Sequence, residues 1–118
     1  MQDFKQLGVW KKSHALTLDI YRMTTSFPDN EKFGLVSQMQ RSASSVPTNI
    51  AEGCGRNGNN ELHRFLSIAA GSASELHYQL ILAHDLEYIP TDQFMQLEKR
   101  VIEVKKMLAG FMKTLKRK

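Results

Sequence analysis

Apolar residues recur at helical spacing in four segments of the chain, and no segment alternates apolar and polar residues as a half-buried strand does. The segments run from about Val9 to Ser26, from about Glu31 to Glu52, from the following glycine-rich stretch to about Glu87, and from a Thr91 cap onward. Four helices with short connections predict an all-α, antiparallel up-down-up-down four-helix bundle. The predicted core positions are, in chain order, Val9, Leu16, Ile20, Met23, Phe27, Leu35, Met39, Ala43, Val46, Ile50, Leu62, Leu66, Ala69, Ala73, Leu76, Leu80, Phe94, Leu97, Val101, Val104, Leu108, Phe111 and Leu115.

The second and third helices meet in the stretch "GCGRNGNN". Gly53, Gly55 and Gly58 are expected to close the second helix, because glycine adopts left-handed conformations at little cost. Asn59 or Asn60 is expected to cap the third helix by accepting its first free amides. The stretch is therefore interpreted as a structural turn.

A proline interrupts the second segment. Pro47 lacks an amide hydrogen and collides with the carbonyl of Ala43, so a kink or a loosened turn is expected there. Asn49 and Glu52, which follow on the next turn, are interpreted as structural polar anchors that hold this region down.

The third helix carries a second apolar stripe beside its core face. The stripe consists of Phe65, Ile68, Leu82 and Leu86, and a bundle of this size does not need it for its own core. We therefore predict that it forms an interface between subunits of a homo-oligomer. The alternative is that the helix is buried at the centre of its own bundle.

Charge is concentrated at one end of the chain. The whole chain carries +4, whereas residues 99–118 hold eight basic residues against a single acid, a net charge of +7, so the remainder is −3. A basic end predicts an anionic partner, and nucleic acid is the commonest one. The predicted phosphate contacts are Lys99, Lys106, Lys113, Lys116 and Arg117, with Arg100 and Lys105 beside them. The alternative is a solvated helix face that keeps the protein soluble.

The sequence gives little support for a catalytic site or a metal site. As a nucleophile Cys54 would need a base such as His63, nine residues on, but a free cysteine at the end of an apolar face is usually a small buried residue. The stretch "GCGRNG" follows a helix and lacks the Gly-Lys-Ser/Thr ending of a phosphate-binding loop. Arg56 and His63 loosely resemble the Arg-His signature of HEPN ribonucleases, but Gly58 intervenes. His63, His77 and His84 are spaced by multiples of seven residues, and seven residues span about 10 Å along a helix, too far for one ion. We expect no enzymatic activity, cofactor or metal.

Length and cysteine content set the remaining bounds. A chain of 118 residues is expected to form a single domain over 1–118. One cysteine cannot form an intrachain disulfide, and no apolar run is long enough to cross a membrane. A soluble protein of the bacterial cytoplasm is expected.

Three stretches resemble a known family when taken in order: "VWKKSHALTLDIY", "FPDNEKFGLVSQMQRSASSVPTNIAEGCGR" and "ELHRFLSIAAGSASEL". They are similar to the four-helix-bundle proteins encoded in intervening sequences of bacterial 23S rRNA genes, the S23-type ribosomal protein family. The resemblance implies a ring-shaped pentamer, and RNA binding is the activity usually suggested. It extends to the accessory variability determinant of diversity-generating retroelements, which binds nucleic acid and a reverse transcriptase. The motif positions that match are Gln38, Arg41, Ser45, Pro47, Asn49, Ile50, Ala51, Glu52 and Gly53.

These observations together predict a non-enzymatic, oligomeric protein that binds nucleic acid, preferably RNA, through the basic face of its last helix. A second hypothesis is a protein-interaction scaffold for a nucleic-acid-processing enzyme such as a reverse transcriptase. A metal-independent ribonuclease of the HEPN type is the third.

Overall fold

The computed structural model of the protein describes residues 3–115, which contain four α-helices and no strand. The helices are α1 (Gly8–Thr24), α2 (Leu35–Cys54), α3 (Asn59–Asp85) and α4 (Thr91–Leu115). Short 3₁₀ turns at Phe4–Gln6 and Asp29–Glu31 precede α1 and α2. The prediction of an all-α, four-helix fold is confirmed.

Contacts between helices fix their directions. The hydroxyl of Thr17 donates to the carbonyl of Ala43, and the amide of Gln40 donates to the hydroxyl of Thr24, so α1 and α2 run antiparallel. Over residues 3–115, α1 packs on α2 and α4, α3 packs on the same two helices, and the backbones of the diagonal pairs do not approach each other closely. The longest dimension, 47 Å, compares with about 40 Å for α3 at about 1.5 Å per residue, so the helices lie along this axis.

The core follows the predicted apolar positions closely. All predicted core positions up to the end of α3 are buried, and Ile20, Met39 and Leu66 are completely inaccessible. On α4 the central four positions are buried, and Phe94, Phe111 and Leu115 pack partly buried against them. Full burial of each large apolar side chain contributes roughly 1.5–3 kcal/mol, so this core is the main source of stability.

Helix α2 continues through Pro47 without a break. Because proline has no amide hydrogen, the carbonyl of Ala43 loses its usual partner within the helix. The hydroxyl of Thr17 on α1 lies 3.0 Å from this carbonyl and 2.8 Å from the carbonyl of Ser13, so its single hydrogen is shared between the two acceptors. A neighbouring helix thus satisfies the group that Pro47 leaves free. Asn49 anchors the same turn, since its amide donates to the carbonyl and the hydroxyl of Ser45 at 2.8 and 2.9 Å.

The three glycines between α2 and α3 have different roles. Gly58 has a φ of 89° and precedes α3, as a left-handed turn requires. A left-handed conformation that closes α2 was also predicted for Gly53 and Gly55, and there the prediction was wrong. Gly53 lies inside α2, and Gly55 has a φ of −84°. A Cβ at Gly53 would lie 2.9 Å from the Cβ of Phe65, so glycine is needed there for the close approach of α3. The predicted cap by Asn59 or Asn60 was wrong: both lie inside α3, and the cap residue is Gly58, without a side-chain hydrogen bond.

Candidate nucleic-acid interface

Three lysines form an exposed row along α4. Lys99, Lys106 and Lys113 are seven residues apart, so neighbours in the row are separated by about 10 Å along the helix. All three are exposed, and the buried residues Val101 and Leu108 lie on the other side of α4. None of the three lysines makes an ion pair or a side-chain hydrogen bond within the described part of the chain. We call these three residues the lysine row.

The two basic residues beside the lysine row face neighbouring helices. Arg100 is half-buried and donates to Oδ2 of Asp19 on α1 at 2.7 Å. This hydrogen bond to Arg100 holds the pKa of the Asp19 carboxyl below its ordinary value, against the opposing effect of partial burial. Arg100 therefore closes the α1–α4 seam as well as lying near the row.

Lys105 belongs to a network on the α3 side of α4. Its ammonium lies 3.3 Å from Nδ1 of His77, and Nε2 of the same ring lies 2.9 Å from Oε2 of Glu98. An ammonium can only donate, so Nδ1 accepts and Nε2–H donates to the carboxylate. Lys105 therefore helps to close the α3–α4 seam. Two predicted phosphate contacts, Lys116 and Arg117, lie outside the described residues.

The seam between α1 and α4 forms an open polar pocket that the sequence did not indicate. The pocket has a volume of about 390 Å³. Asp19 stands in it between two guanidinium groups, with Oδ1 3.3 Å from Arg22 and Oδ2 2.7 Å from Arg100. Its lining residues are Asp19, Arg22, Met23, Gln93, Gln96, Leu97 and Arg100.

The matched motif on α2 divides into buried and exposed residues. Pro47 and Gly53 are buried, whereas Gln38 and Arg41 are exposed and line a recess of about 250 Å³ with Ser42, Ser45, Ser72 and Glu75. Glu52, on the last turn of α2, is exposed and pairs at 2.7 Å with Arg56 in the turn that follows. The buried residues explain the packing of α2, and the exposed ones leave a polar surface between α2 and α3.

The second stripe of α3 is only partly on the surface. Ile68 and Leu86 are 42% and 46% exposed, Leu82 is half-buried, and Phe65 is 8% exposed. The ring of Phe65 is covered within its own chain by the guanidinium groups of Arg56 and Arg64, at 5.0 and 4.6 Å from its centroid. The exposed apolar residues that the stripe leaves for a neighbouring subunit are thus Ile68 and Leu86, near the middle and at the end of α3, and the interface remains a prediction.

The residues considered for catalysis do not form a cluster with clear chemistry. Burial raises the pKa of the Cys54 thiol, which opposes formation of the nucleophilic thiolate. Arg56 lies in the turn and is paired with Glu52, whereas His63 lies on α3, so the two are not presented by one helix. Between residues 3 and 115, no three His, Cys, Asp or Glu side chains gather closely enough to bind a metal ion. Over the same residues, no helix has the length and apolar character needed to span a bilayer.

Comparisons with known proteins agree with this architecture. The pattern of the 23S rRNA-intervening sequence protein family matches residues 5–110. The fold is similar to that of a crystallised protein of unknown function from the S23 ribosomal protein family of Bacteroides thetaiotaomicron, with a TM-score of 0.81 and 27% identity. That alignment covers 89% of this chain and 98% of the other. Comparison with proteins of curated function gives no match. Since the family pattern spans most of the sequence, the chain belongs to the 23S rRNA-intervening sequence protein family.

Proposed function

We propose that the protein is a non-enzymatic, oligomeric RNA-binding protein that holds phosphate groups on the lysine row of α4. The observation that carries this proposal is the row itself: Lys99, Lys106 and Lys113 are exposed, aligned and without ionic partners in the described residues. Such cations are available to replace the counterions that surround a nucleic acid, which is the main source of sequence-independent affinity. The family's association with 23S rRNA genes favours RNA as the ligand.

Self-association would multiply the effect of the row. The exposed side chains of Ile68 on α3 and of Leu86 directly after it favour a contact between copies of this chain, and the family resemblance implies a pentameric ring. Each copy would contribute its own lysine row to one RNA, so weak individual contacts would sum through multivalency. A single, buried, reduced Cys54 is compatible with a cytoplasmic location.

Fluorescence anisotropy with a structured fragment of ribosomal RNA, titrated at several salt concentrations, tests the proposal. Wild-type protein is expected to bind with an affinity that falls steeply as salt rises. Replacing all three residues of the row with alanine should weaken binding and reduce the salt slope by roughly two units, because each phosphate neutralised by a lysine accounts for about 0.7 to 0.9 of that slope.

A charge-matched variant separates the row from net charge. Lys5, Lys11 and Lys32 are also exposed and lie outside α4. Their triple alanine variant removes the same three charges and should keep most of the affinity and the salt slope. Equal weakening in the two triple variants would show that only overall charge matters and would overturn the assignment to α4.

Absence of binding by the wild type at low salt would overturn the proposal and favour the scaffold hypothesis. One observation supports a protein partner: Phe33 is 90% exposed beside a groove of about 500 Å³ between the end of α1 and the start of α2. An aromatic side chain this exposed is typical of protein contacts. In that case, association with a nucleic-acid-processing enzyme should survive nuclease treatment and weaken on Phe33→Ala.

The oligomer has a separate test. Sedimentation velocity at micromolar concentration should give a species larger than a monomer, and Ile68→Asp should shift it towards the monomer because a buried charge at an apolar interface is strongly unfavourable. A wild-type monomer at that concentration would contradict the oligomeric part of the proposal and leave RNA binding to be judged by anisotropy.

A further inference from the structure

The polar pocket between α1 and α4 lies beside the lysine row. Gln96 and Arg100 line it, and Lys99 stands between them in the sequence, about 60° around the helix from Gln96. Its volume of about 390 Å³ is within the range of about 300 to 1,000 Å³ that is usual for small-molecule sites. A nucleic-acid strand bound at Lys99, the end of the row nearest the pocket, can therefore place one base near it.

The charged groups in the pocket have unused hydrogen-bonding capacity. The side chain of Asp19 is 42% exposed and accepts one bond at each oxygen, whereas a carboxylate has about four acceptor sites. Arg22 is 71% exposed, and its guanidinium uses one of about five N–H donors within the described residues. The ion pair to Arg100 orients the carboxylate, so a fixed acceptor stands next to a set of free donors.

This combination disfavours a phosphate as occupant. The pKa of Asp19 is lowered, chiefly by its hydrogen bond to Arg100, so the carboxylate is ionised at neutral pH, and a phosphate could bond the arginines but offers this carboxylate no hydrogen-bond donor. A neutral group with donors on one edge and acceptors on the next satisfies both Asp19 and Arg22. The two apolar lining residues, Met23 and Leu97, are buried and form the base of the pocket.

We infer that the pocket accepts an unpaired guanine base of the bound RNA, an inference that rests on the proposed RNA-binding function. Guanine carries N1–H and N2–H donors on its Watson–Crick edge for Asp19, and O6 and N7 acceptors on its neighbouring edge for Arg22. Adenine and cytosine offer the carboxylate a single amino group, so they form fewer of these bonds. The lysine row thus supplies affinity, and the pocket supplies base preference at one position.

The test compares short, unstructured RNAs that differ only at a few purine positions. Guanosine, adenosine or inosine is placed at these positions, and anisotropy measures the affinity of the full-length protein for each RNA. The guanosine RNA should bind about ten-fold more tightly than the adenosine RNA. Inosine lacks the N2 amino group, so its affinity should fall between the two.

Two variants connect the preference to the pocket. Asp19→Asn removes the charged acceptor and keeps the shape, and Arg22→Gln changes an exposed side chain that the core does not need. Each should abolish the guanosine preference while the adenosine RNA still binds. Lys113→Ala, the matched control, should weaken all three RNAs by the same factor. Thermal unfolding of each variant checks that the fold is intact.

The outcomes separate this inference from the function on which it rests. Equal, tight binding of the guanosine and adenosine RNAs would overturn the guanine pocket and leave RNA binding standing. A preference that persists in Arg22→Gln and Asp19→Asn would also overturn it, since the discrimination would then lie elsewhere. Failure of the wild type to bind any RNA at low salt would remove the proposed function and the inference together.

Discussion

The seam between α2 and α3 at Gly53 and the seam between α1 and α4 are closed in different ways. At Gly53 the helices approach so closely that a Cβ would lie 2.9 Å from Phe65 and 3.0 Å from Leu62. The α1–α4 seam is bridged by ion pairs instead, from Arg100 to Asp19 at 2.7 Å and from Lys12 to Glu103 at 3.4 Å. Close packing leaves no room for a ligand, whereas the charged seam leaves a pocket with free donors and acceptors.

This difference separates residues that stabilise the bundle from residues that the proposed binding site uses. The close α2–α3 seam stabilises the fold through packing, and there even one added methyl group changes the free energy of unfolding. The charged seam contributes less to stability, because exposed ion pairs are worth only about 0.2–1 kcal/mol. Its residues can therefore change with little effect on folding, and their chemistry is available for binding.

Gly53→Ala should have the largest effect on stability. Alanine ordinarily favours a helix over glycine by about 0.5–1 kcal/mol, but here its Cβ collides with Phe65 and Leu62, so a net destabilisation of about 1–3 kcal/mol is expected. Urea denaturation measures it. Gly110→Ala is the matched control: its Cβ meets nothing within 4 Å, so it should stabilise by about 0.5–1 kcal/mol. Equal changes in unfolding free energy for Gly53→Ala and Gly110→Ala would contradict the close packing of α2 against α3 at Gly53.

Thr17→Val tests the link between α1 and the proline turn of α2. Valine keeps the shape but removes the hydroxyl that donates to the Ala43 carbonyl, at a cost of about 1–2 kcal/mol in unfolding free energy. In a Pro47→Ala background the new amide can bond Ala43, so the same substitution should cost less there. Urea denaturation of all four proteins gives the coupling. A coupling of zero would contradict the proposed role of Thr17.

Asp19→Asn should have the smallest effect, at most about 1 kcal/mol, because Asp19 and Arg100 are both accessible to solvent. The folded state lowers the pKa of Asp19, so its stabilising effect is present above the unfolded pKa and is lost as pH falls through the folded pKa. The difference in unfolding free energy between wild type and variant should be constant near neutral pH and shrink below about pH 4. A difference that grows on acidification would have the wrong sign.

Much of the fold could be predicted from the order of apolar residues. The positions on α4 from Leu97 to Leu108 alternate spacings of three and four, and they are buried as that spacing predicts. The glycines were harder to interpret, because Gly53 and Gly58 look alike in the sequence. Gly58 permits a left-handed turn, whereas Gly53 permits close contact with α3, which begins later in the chain.

The candidate site shows the same division. The lysine row could be predicted because Lys99, Lys106 and Lys113 repeat at helical spacing, opposite the apolar positions of one helix. The pocket could not, since Asp19 and Arg100 are 81 positions apart and no local pattern connects them. Their meeting depends on which helices become neighbours and on the register of α1 against α4.

The order of residues is enough to define the four helices, the face that each buries and the basic face of α4, because periodicity and charge along a helix are properties of neighbouring residues. Three contacts form only when the whole bundle folds. Thr17 donates to the carbonyl that Pro47 leaves free, and Gly53 packs closely against Phe65. Asp19 accepts a hydrogen bond from Arg100. Each of these contacts joins residues on different helices. Their distances are set by packing, which minimises voids and unpaired polar groups across the whole bundle.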